Sequence, residues 1–183
     1  MNNNGVYILL SIFLWFAIFA YWIIRSKAKG ILNEIVGLSK LIFSGLILYV
    51  PAFLSINHFN YKQFLVTNII GLIITIFGFV VCVLAREYLS HNWSGKVTIQ
   101  EKNTLIQSGP YKIIRHPIYS GVLVMMLGSS VIIGNVFDFV WVLFCLFGLL
   151  RKSKQEETLL KNEFGEAYIE YSKQTKMIIP YIL

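Results

Sequence analysis

Residues 115–119 read Arg-His-Pro-Ile-Tyr, and residues 151–157 read Arg-Lys-Ser-Lys-Gln-Glu-Glu. The first segment sets a guanidinium, an imidazole and a phenol side by side. The second sets two cations about one helical turn ahead of two carboxylates. A polar cluster beside long apolar runs is costly unless it has work to do. Pro117 restricts His116 to extended backbone and suits the first turn of a helix. A helix is therefore predicted to start near Pro117, with Arg115 and His116 just outside it. Backbone N–H groups and the positive end of the dipole lie there, which favours a bound carboxylate or phosphate.

The elements that must position these groups are apolar. The 183-residue chain is 56% hydrophobic and 14% charged, with a mean hydropathy of +0.66. That is the composition of a polytopic membrane protein. Runs long enough to cross a bilayer fall at 6–24, 38–54 and 65–85. Two shorter runs, 119–133 and 136–150, are joined by Gly134-Asn135. They fall short of the about 20 residues of a full span, so they are expected to tilt, to extend beyond the bilayer or to form a hairpin that does not fully cross. The uncharged leader and the length of the first run favour a span over a cleaved signal peptide. Cys82 and Cys145 lie inside apolar runs and read as buried thiols, not a disulfide framework.

The net charge of +7 is distributed by topology. Of the sixteen Lys and Arg, all but Lys62 fall in 25–40, 86–115 or 151–176. With the N-terminus outside, these three clusters share the cytoplasmic face, as the positive-inside rule requires. The charge thus reflects topology and anionic headgroups, and nucleic acid is not an expected partner. The 86–118 stretch is too long for a simple connector and is expected to be functional or structured. Within it Val97-Thr98-Ile99 reads as extended, and 103–110 as a turn-rich approach to the Pro117 helix. Residues 151–174 read as one amphipathic helix, with Leu160, Phe164, Tyr168 and Tyr171 on one face and Gly165 weakening it slightly. Residues 177–181 then form an apolar anchor, and the tail returns to the 86–118 loop.

Each polar group has a plain structural reading. His116 can be an ordinary hydrogen-bonding residue, Glu156-Glu157 part of a solvated helix, Arg86-Glu87 an interfacial ion pair, and Arg151-Lys152 a topology signal. Their convergence from three segments on one face argues for a site. His58, His91 and His116 are scattered, so no zinc site is expected.

The pattern Arg86…Asn92-Trp93-Ser94…Leu105…Ser108-Gly109-Pro110-Tyr111…Arg115-His116-Pro117-Ile118-Tyr119-Ser120-Gly121…Glu156-Glu157…Leu160…Phe164-Gly165…Tyr168…Tyr171…Pro180 resembles the isoprenylcysteine carboxyl methyltransferase family. That family extends to bacterial and archaeal relatives and to membrane phospholipid methyltransferases. The resemblance covers about residues 70–183. It implies S-adenosylmethionine as methyl donor, in a pocket lined by Asn103, Thr104, Leu105, Ile106, Tyr111, His116, Pro117, Ile118, Tyr119 and Glu156. It also implies a basic residue at the acceptor about one turn before the glutamates. Lys152 holds that position, beside Arg151, where relatives often carry arginine.

The residues suit that chemistry on their own terms. A glutamate can hold the donor's ammonium, helix amides or His116 its carboxylate, and Tyr111 or Tyr119 its sulfonium or adenine. A carboxylate acceptor is already ionised and needs only alignment and desolvation. An amine acceptor needs a base, for which Glu157 is the candidate.

The expectation is a single-domain, all-α, polytopic integral membrane methyltransferase in a bacterial or archaeal membrane. It has about five membrane segments, a C-terminal helical hairpin and a cytoplasmic amphipathic tail helix. The leading acceptor is a carboxylate on an isoprenylcysteine-like or other lipidated substrate, with a phospholipid amine as the alternative. A sterol-type reductase using NADPH and a non-catalytic membrane protein remain as further alternatives.

Overall fold

The computed structural model describes residues 3–25, 45–46, 64–89 and 104–180. Five α-helices account for most of them: α1 (Asn3–Arg25), α2 (Leu65–Leu89), α3 (Pro117–Ile133), α4 (Val136–Phe164) and α5 (Glu166–Gln174). A 3-10 turn at Gly109–Lys112 precedes α3. Among the described residues there is no strand; an isolated parallel bridge joins Ile114 and Lys176. The expected run at 38–54 and the extended Val97-Thr98-Ile99 lie outside the described residues, 45–46 apart.

Two helices, α1 and α2, are long and apolar enough to cross a membrane. Their outward faces remain open: Phe13, Phe16, Ile73 and Phe77 are all more than half exposed. A helix from the core of a soluble protein would bury such residues, whereas lipid covers them at no cost.

The innermost helix is α3, which buries thirteen of its seventeen residues. It lies antiparallel to α2 along a seam of small residues. A Cβ placed on Gly78 would sit 2.6 Å from the Gly121 carbonyl oxygen, and one on Gly128 would sit 2.4 Å from Thr75 Oγ1. The two backbones approach this closely because Gly71 and Gly78 on α2 meet Gly128 and Gly121 on α3. On another side, Trp15 Nε1 of α1 donates to Ser129 Oγ at 3.1 Å.

Gly134 ends α3 in a left-handed cap, and Asn135 starts α4 by accepting the Phe137 N–H at 3.0 Å. The expected C-terminal hairpin is thereby altered. The turn forms where the sequence places it, but α3 packs far more extensively on α2 than on α4, because the glycine seam faces α2.

Of the alternatives for the 136–150 run, extension beyond it is the one seen: no helix boundary falls at residue 150. α4 runs unbroken for 29 residues, from the apolar stretch through Arg151 and on to Phe164. Residues 151–164 are rich in good helix formers, and a change from apolar to polar side chains does not interrupt backbone hydrogen bonding. The break comes at Gly165, whose φ of 53° and ψ of −128° suit glycine. The expected single helix over 151–174 is therefore two, and α5 turns back over the start of α3.

Candidate active site

The site is built where the N-terminus of α3, the polar half of α4 and the tail meet. Pro117 occupies the first turn of α3 and His116 is its N-cap, at φ −122°. The tail after α5 lies alongside this start. The Arg115 N–H donates to the Lys176 carbonyl at 2.8 Å, and the His116 N–H to the Met177 carbonyl at 3.0 Å. Ser120 Oγ donates to the Ile178 carbonyl at 2.5 Å, and the Tyr171 hydroxyl donates to the Tyr111 carbonyl at 2.7 Å. The His116 amide and the Ser120 hydroxyl are thus occupied by carbonyls of the tail.

α4 brings two carboxylates against this start. Arg115 Nε lies 2.6 Å from Glu157 Oε1. The same guanidinium donates through Nη1 to the carbonyls of Ser172 (3.1 Å) and Thr175 (2.5 Å). One buried cation thus fastens α4, α5 and the tail to the start of α3. His116 Nδ1 lies 3.3 Å from Glu156 Oε2, and its Nε2 lies 3.7 Å from Glu157 Oε1. The Tyr119 hydroxyl donates to Glu156 Oε1 at 2.5 Å. The Tyr119 ring stacks parallel to His116, with centroids 5.5 Å apart. On that phenol ring rests the Lys152 ammonium, 5.1 Å from the centroid.

Burial alone would lower the basicity of His116, but hydrogen bonds and charge from Glu156 and Glu157 outweigh it and hold its pKa above the ordinary imidazole value. Burial would raise the Glu157 carboxyl, yet His116 and Arg115 bring it down to about 2. This bears on the general-base role considered for Glu157. A carboxylate so strongly held by a guanidinium and an imidazole has little affinity for a proton, so the geometry makes it the anchor of Arg115.

The other expected site residues distribute unevenly. Tyr111, Pro117 and Ile118 are buried around the cluster, Ile106 packs against the core at its edge, and Leu105 is half-buried. Thr104 and Arg151 are exposed, and Asn103 lies outside the described residues.

Arg86 carries more weight than the sequence suggested. The adjacent pair Arg86-Glu87 does not act as a unit. Glu87 faces outward and pairs with Arg25, while accepting from the Tyr21 hydroxyl at 2.5 Å. Arg86 turns inward, is 6% exposed, and donates through Nη2 to the Arg25 carbonyl at 3.4 Å. Burial and neighbouring Tyr171 push the Tyr111 phenol up, and the charge of Arg86 opposes them. The signal was present in the spacing. Gly71, Thr75, Gly78, Cys82 and Arg86 follow one another at three- and four-residue steps, all on the face of α2 turned toward α3.

The family comparison falls on this region. The profile of the isoprenylcysteine carboxyl methyltransferase (ICMT) family matches residues 71–162, half of the chain. The chain belongs to the ICMT family. The matched span takes in Arg86, the Arg115–Tyr119 segment, Lys152 and both glutamates, and ends just before Gly165 and α5. Among individual relatives, a rice (Oryza sativa subsp. indica) "Probable protein-S-isoprenylcysteine O-methyltransferase" is 29% identical over 126 residues, covering 66% of this chain and 65% of that protein. "Protein-S-isoprenylcysteine O-methyltransferase B" of Arabidopsis thaliana is 32% identical over 90 residues, 48% of this chain and 45% of the other. The human "Protein-S-isoprenylcysteine O-methyltransferase" is 29% identical over 124 residues, 66% of this chain and 44% of the other. The chain thus spans somewhat under two thirds of its rice relative and about half of the Arabidopsis and human ones.

Proposed function

We propose that this ICMT-family chain transfers a methyl group from S-adenosylmethionine to a carboxylate on a lipophilic, isoprenylcysteine-like acceptor at the membrane surface. The observation that carries the reading is the Lys152 ammonium lying over the Tyr119 ring, beside Glu156. It marks an aromatic face that accepts a cation, next to a carboxylate only partly covered. A sulfonium with a neighbouring ammonium fits that pair. When bound, S-adenosylmethionine supplies an electrophilic methyl group on positively charged sulfur.

In this reading Glu156 holds the ammonium of the donor, Tyr119 faces its sulfonium, and His116 fixes both through the stack and the Glu156 contact. Tyr111, Ile118 and the 104–106 segment shield the site from water. Arg86 and Lys152, with Arg151 nearby, offer counter-charge to the acceptor. The acceptor's carboxylate oxygen forms the new O–C bond as the C–S bond breaks, and the bond pair stays on sulfur. No proton moves, so no base is needed. The protein contributes alignment and desolvation, and alignment alone is worth about 7–11 kcal/mol.

An amine acceptor ranks lower because Glu157 is tied to Arg115 and holds its proton weakly. The basic clusters support an N-terminus outside and a site facing the cytoplasm, where the soluble donor is available.

The test uses purified protein and membranes from an expressing strain. Calorimetric titration should register S-adenosylhomocysteine and not NADPH. Methyl label transferred to lipid should leave as volatile methanol after mild base. Base-stable label in phosphatidylethanolamine derivatives would promote the amine reading, and NADPH binding alone would end the methyltransferase reading.

A further inference from the structure

Six serines and threonines are buried among the described residues. Five have a hydroxyl partner. Ser129, Ser130, Thr75 and Thr175 each donate to the carbonyl four residues earlier. Ser11 meets Ser129. The sixth, Ser153, is 0% exposed and its Oγ has no hydrogen-bond partner. It sits on an unbroken helix where the back-bond to Leu149 is the ordinary solution, and it does not take it. Its Oγ is closed to bulk solvent.

Its position gives the orphan hydroxyl a context. Leu149, Ser153 and Glu157 are buried at successive four-residue steps, so they form the inward stripe of α4. The contacts of Glu156 with Tyr119 and of Glu157 with Arg115 fix where α4 meets the start of α3. Ser153 stands one turn back along α4, about 6 Å closer to its apolar half. Its neighbour Lys152 is half-buried and lies across Tyr119. The hydroxyl therefore lies between the charged cluster and the lipid-facing part of the bundle. An amphiphile with its tail in the bilayer and its head at the cluster places its last polar atoms at this depth.

We propose that the Ser153 hydroxyl is a binding group for the methyl acceptor, donating a hydrogen bond to its carboxylate head when that head enters beside Lys152; the inference rests on the carboxylate methyltransferase reading above. Ser153 orients the oxygen that does not react, while the cations supply charge. The half-exposed Lys152 chain is the cover that the acceptor displaces. The donor sits on the water side of Glu156 and does not use this hydroxyl.

The test sets this role against that of a bare packing position. Removing an unsatisfied buried hydroxyl is neutral or stabilising for a folded protein, whereas removing a donor weakens its ligand. Full-length wild type, Ser153→Ala and Ser153→Thr are compared in detergent, with N-acetyl-S-farnesyl-cysteine as acceptor probe. Three quantities are read: melting temperature, S-adenosylhomocysteine affinity, and the KM of the probe with labelled donor. Ser153→Ala should keep or raise the melting temperature and leave S-adenosylhomocysteine affinity within about twofold. It should raise the probe KM about 2- to 10-fold, and Ser153→Thr should recover most of that loss. Wild-type turnover with an unchanged KM in Ser153→Ala would overturn this proposal alone. Loss of S-adenosylhomocysteine affinity with unchanged KM would also overturn it, by moving the hydroxyl to the donor. Wild type that neither binds nor methylates the probe would remove the acceptor reading and this proposal together.

Discussion

Arg115 and Glu157 meet at 2.6 Å, with both side chains only 10% exposed. The pair joins the residue just before α3 to a carboxylate near the end of α4, and the tail carbonyls complete the guanidinium's shell. Replacing Glu157 by Gln leaves a buried cation without its counter-charge. Breaking such a pair from one side costs about 3–5 kcal/mol. The two carbonyl bonds that Arg115 keeps place the expected loss near the lower end. Thermal unfolding in detergent should show a clearly lowered midpoint for Glu157→Gln and a smaller loss for the exposed pair variant Glu170→Gln.

The same cluster sets a pH window. Glu157 is held at about 2, below its ordinary 4.5, so its contribution is complete above about pH 4.5 and is lost as pH falls toward 2. His116 is held above its ordinary 6.5, so its contribution is complete below about pH 6.5 and is lost as pH rises through the raised value. Stability should therefore plateau between about pH 4.5 and 6.5. Melting temperature against pH checks this: Glu157→Gln should flatten the acid limb, and His116→Ala the alkaline limb. A wild-type curve that climbs steadily from pH 5 to 8 would contradict the His116 assignment.

His116 and Glu156 are the proposed donor contacts. Losing one charge-assisted hydrogen bond costs about 1.5–3 kcal/mol, or roughly 10- to 150-fold in affinity. His116→Ala and Glu156→Ala should each weaken S-adenosylhomocysteine by that range, as read by calorimetry, with retained helical circular dichroism. Unchanged affinity in both variants would make the cluster structural.

How much of this was legible follows from which signals are local. Pro117 makes the start of α3 readable, because its ring dictates φ and removes a donor within one residue. Gly134-Asn135 marks the α3–α4 turn just as locally, because glycine suits a left-handed helix end and asparagine caps the next helix. The continuity of α4 through residue 150 was obscured by polarity: the chain passes from apolar to charged at Arg151, and that change concerns solvent, not backbone. The break at Gly165 depends on a backbone conformation that no neighbouring side chain announces. Arg86 was read with Glu87 because they are adjacent in sequence, although adjacent helix residues point about 100° apart. The stripe that turns Arg86 inward is visible in the small residues at 71, 75, 78 and 82. The tail's return was readable from chain direction, but its hydrogen bonds to 113–116 join residues some sixty positions apart.

That stripe also predicts a stability defect far from the chemistry. A methyl group on Gly78 would approach the Gly121 carbonyl and the Met125 amide at 2.6 Å. Backbone atoms on a packed helix cannot yield as a side-chain tip does. Gly78→Ala should destabilise by about 1–3 kcal/mol, while Gly148→Ala, where nothing lies within 4 Å, should be neutral or better. Equal midpoints for the two variants in thermal unfolding would contradict the close α2–α3 seam.

The acceptor side gives the most selective prediction. Arg86 is a buried guanidinium on the inward stripe of α2, and Lys152 is a half-buried ammonium over Tyr119. Neither is among the groups proposed to hold the ammonium end of the donor, the part proposed for Glu156. Arg86→Ala and Lys152→Ala should therefore raise the KM for a farnesylated cysteine carboxylate, or lower kcat/KM, at least tenfold. Their S-adenosylhomocysteine affinity should change by less than about threefold. Arg86→Lys separates charge from shape: an ammonium keeps the charge but cannot grip a carboxylate with two parallel bonds, so it should recover only part of the loss. Methanol released by mild base measures the ester formed and excludes N-methylation in the same assay. If both variants lose donor binding as severely as turnover, these cations belong to the donor site, and the acceptor carboxylate must find its counter-charge elsewhere.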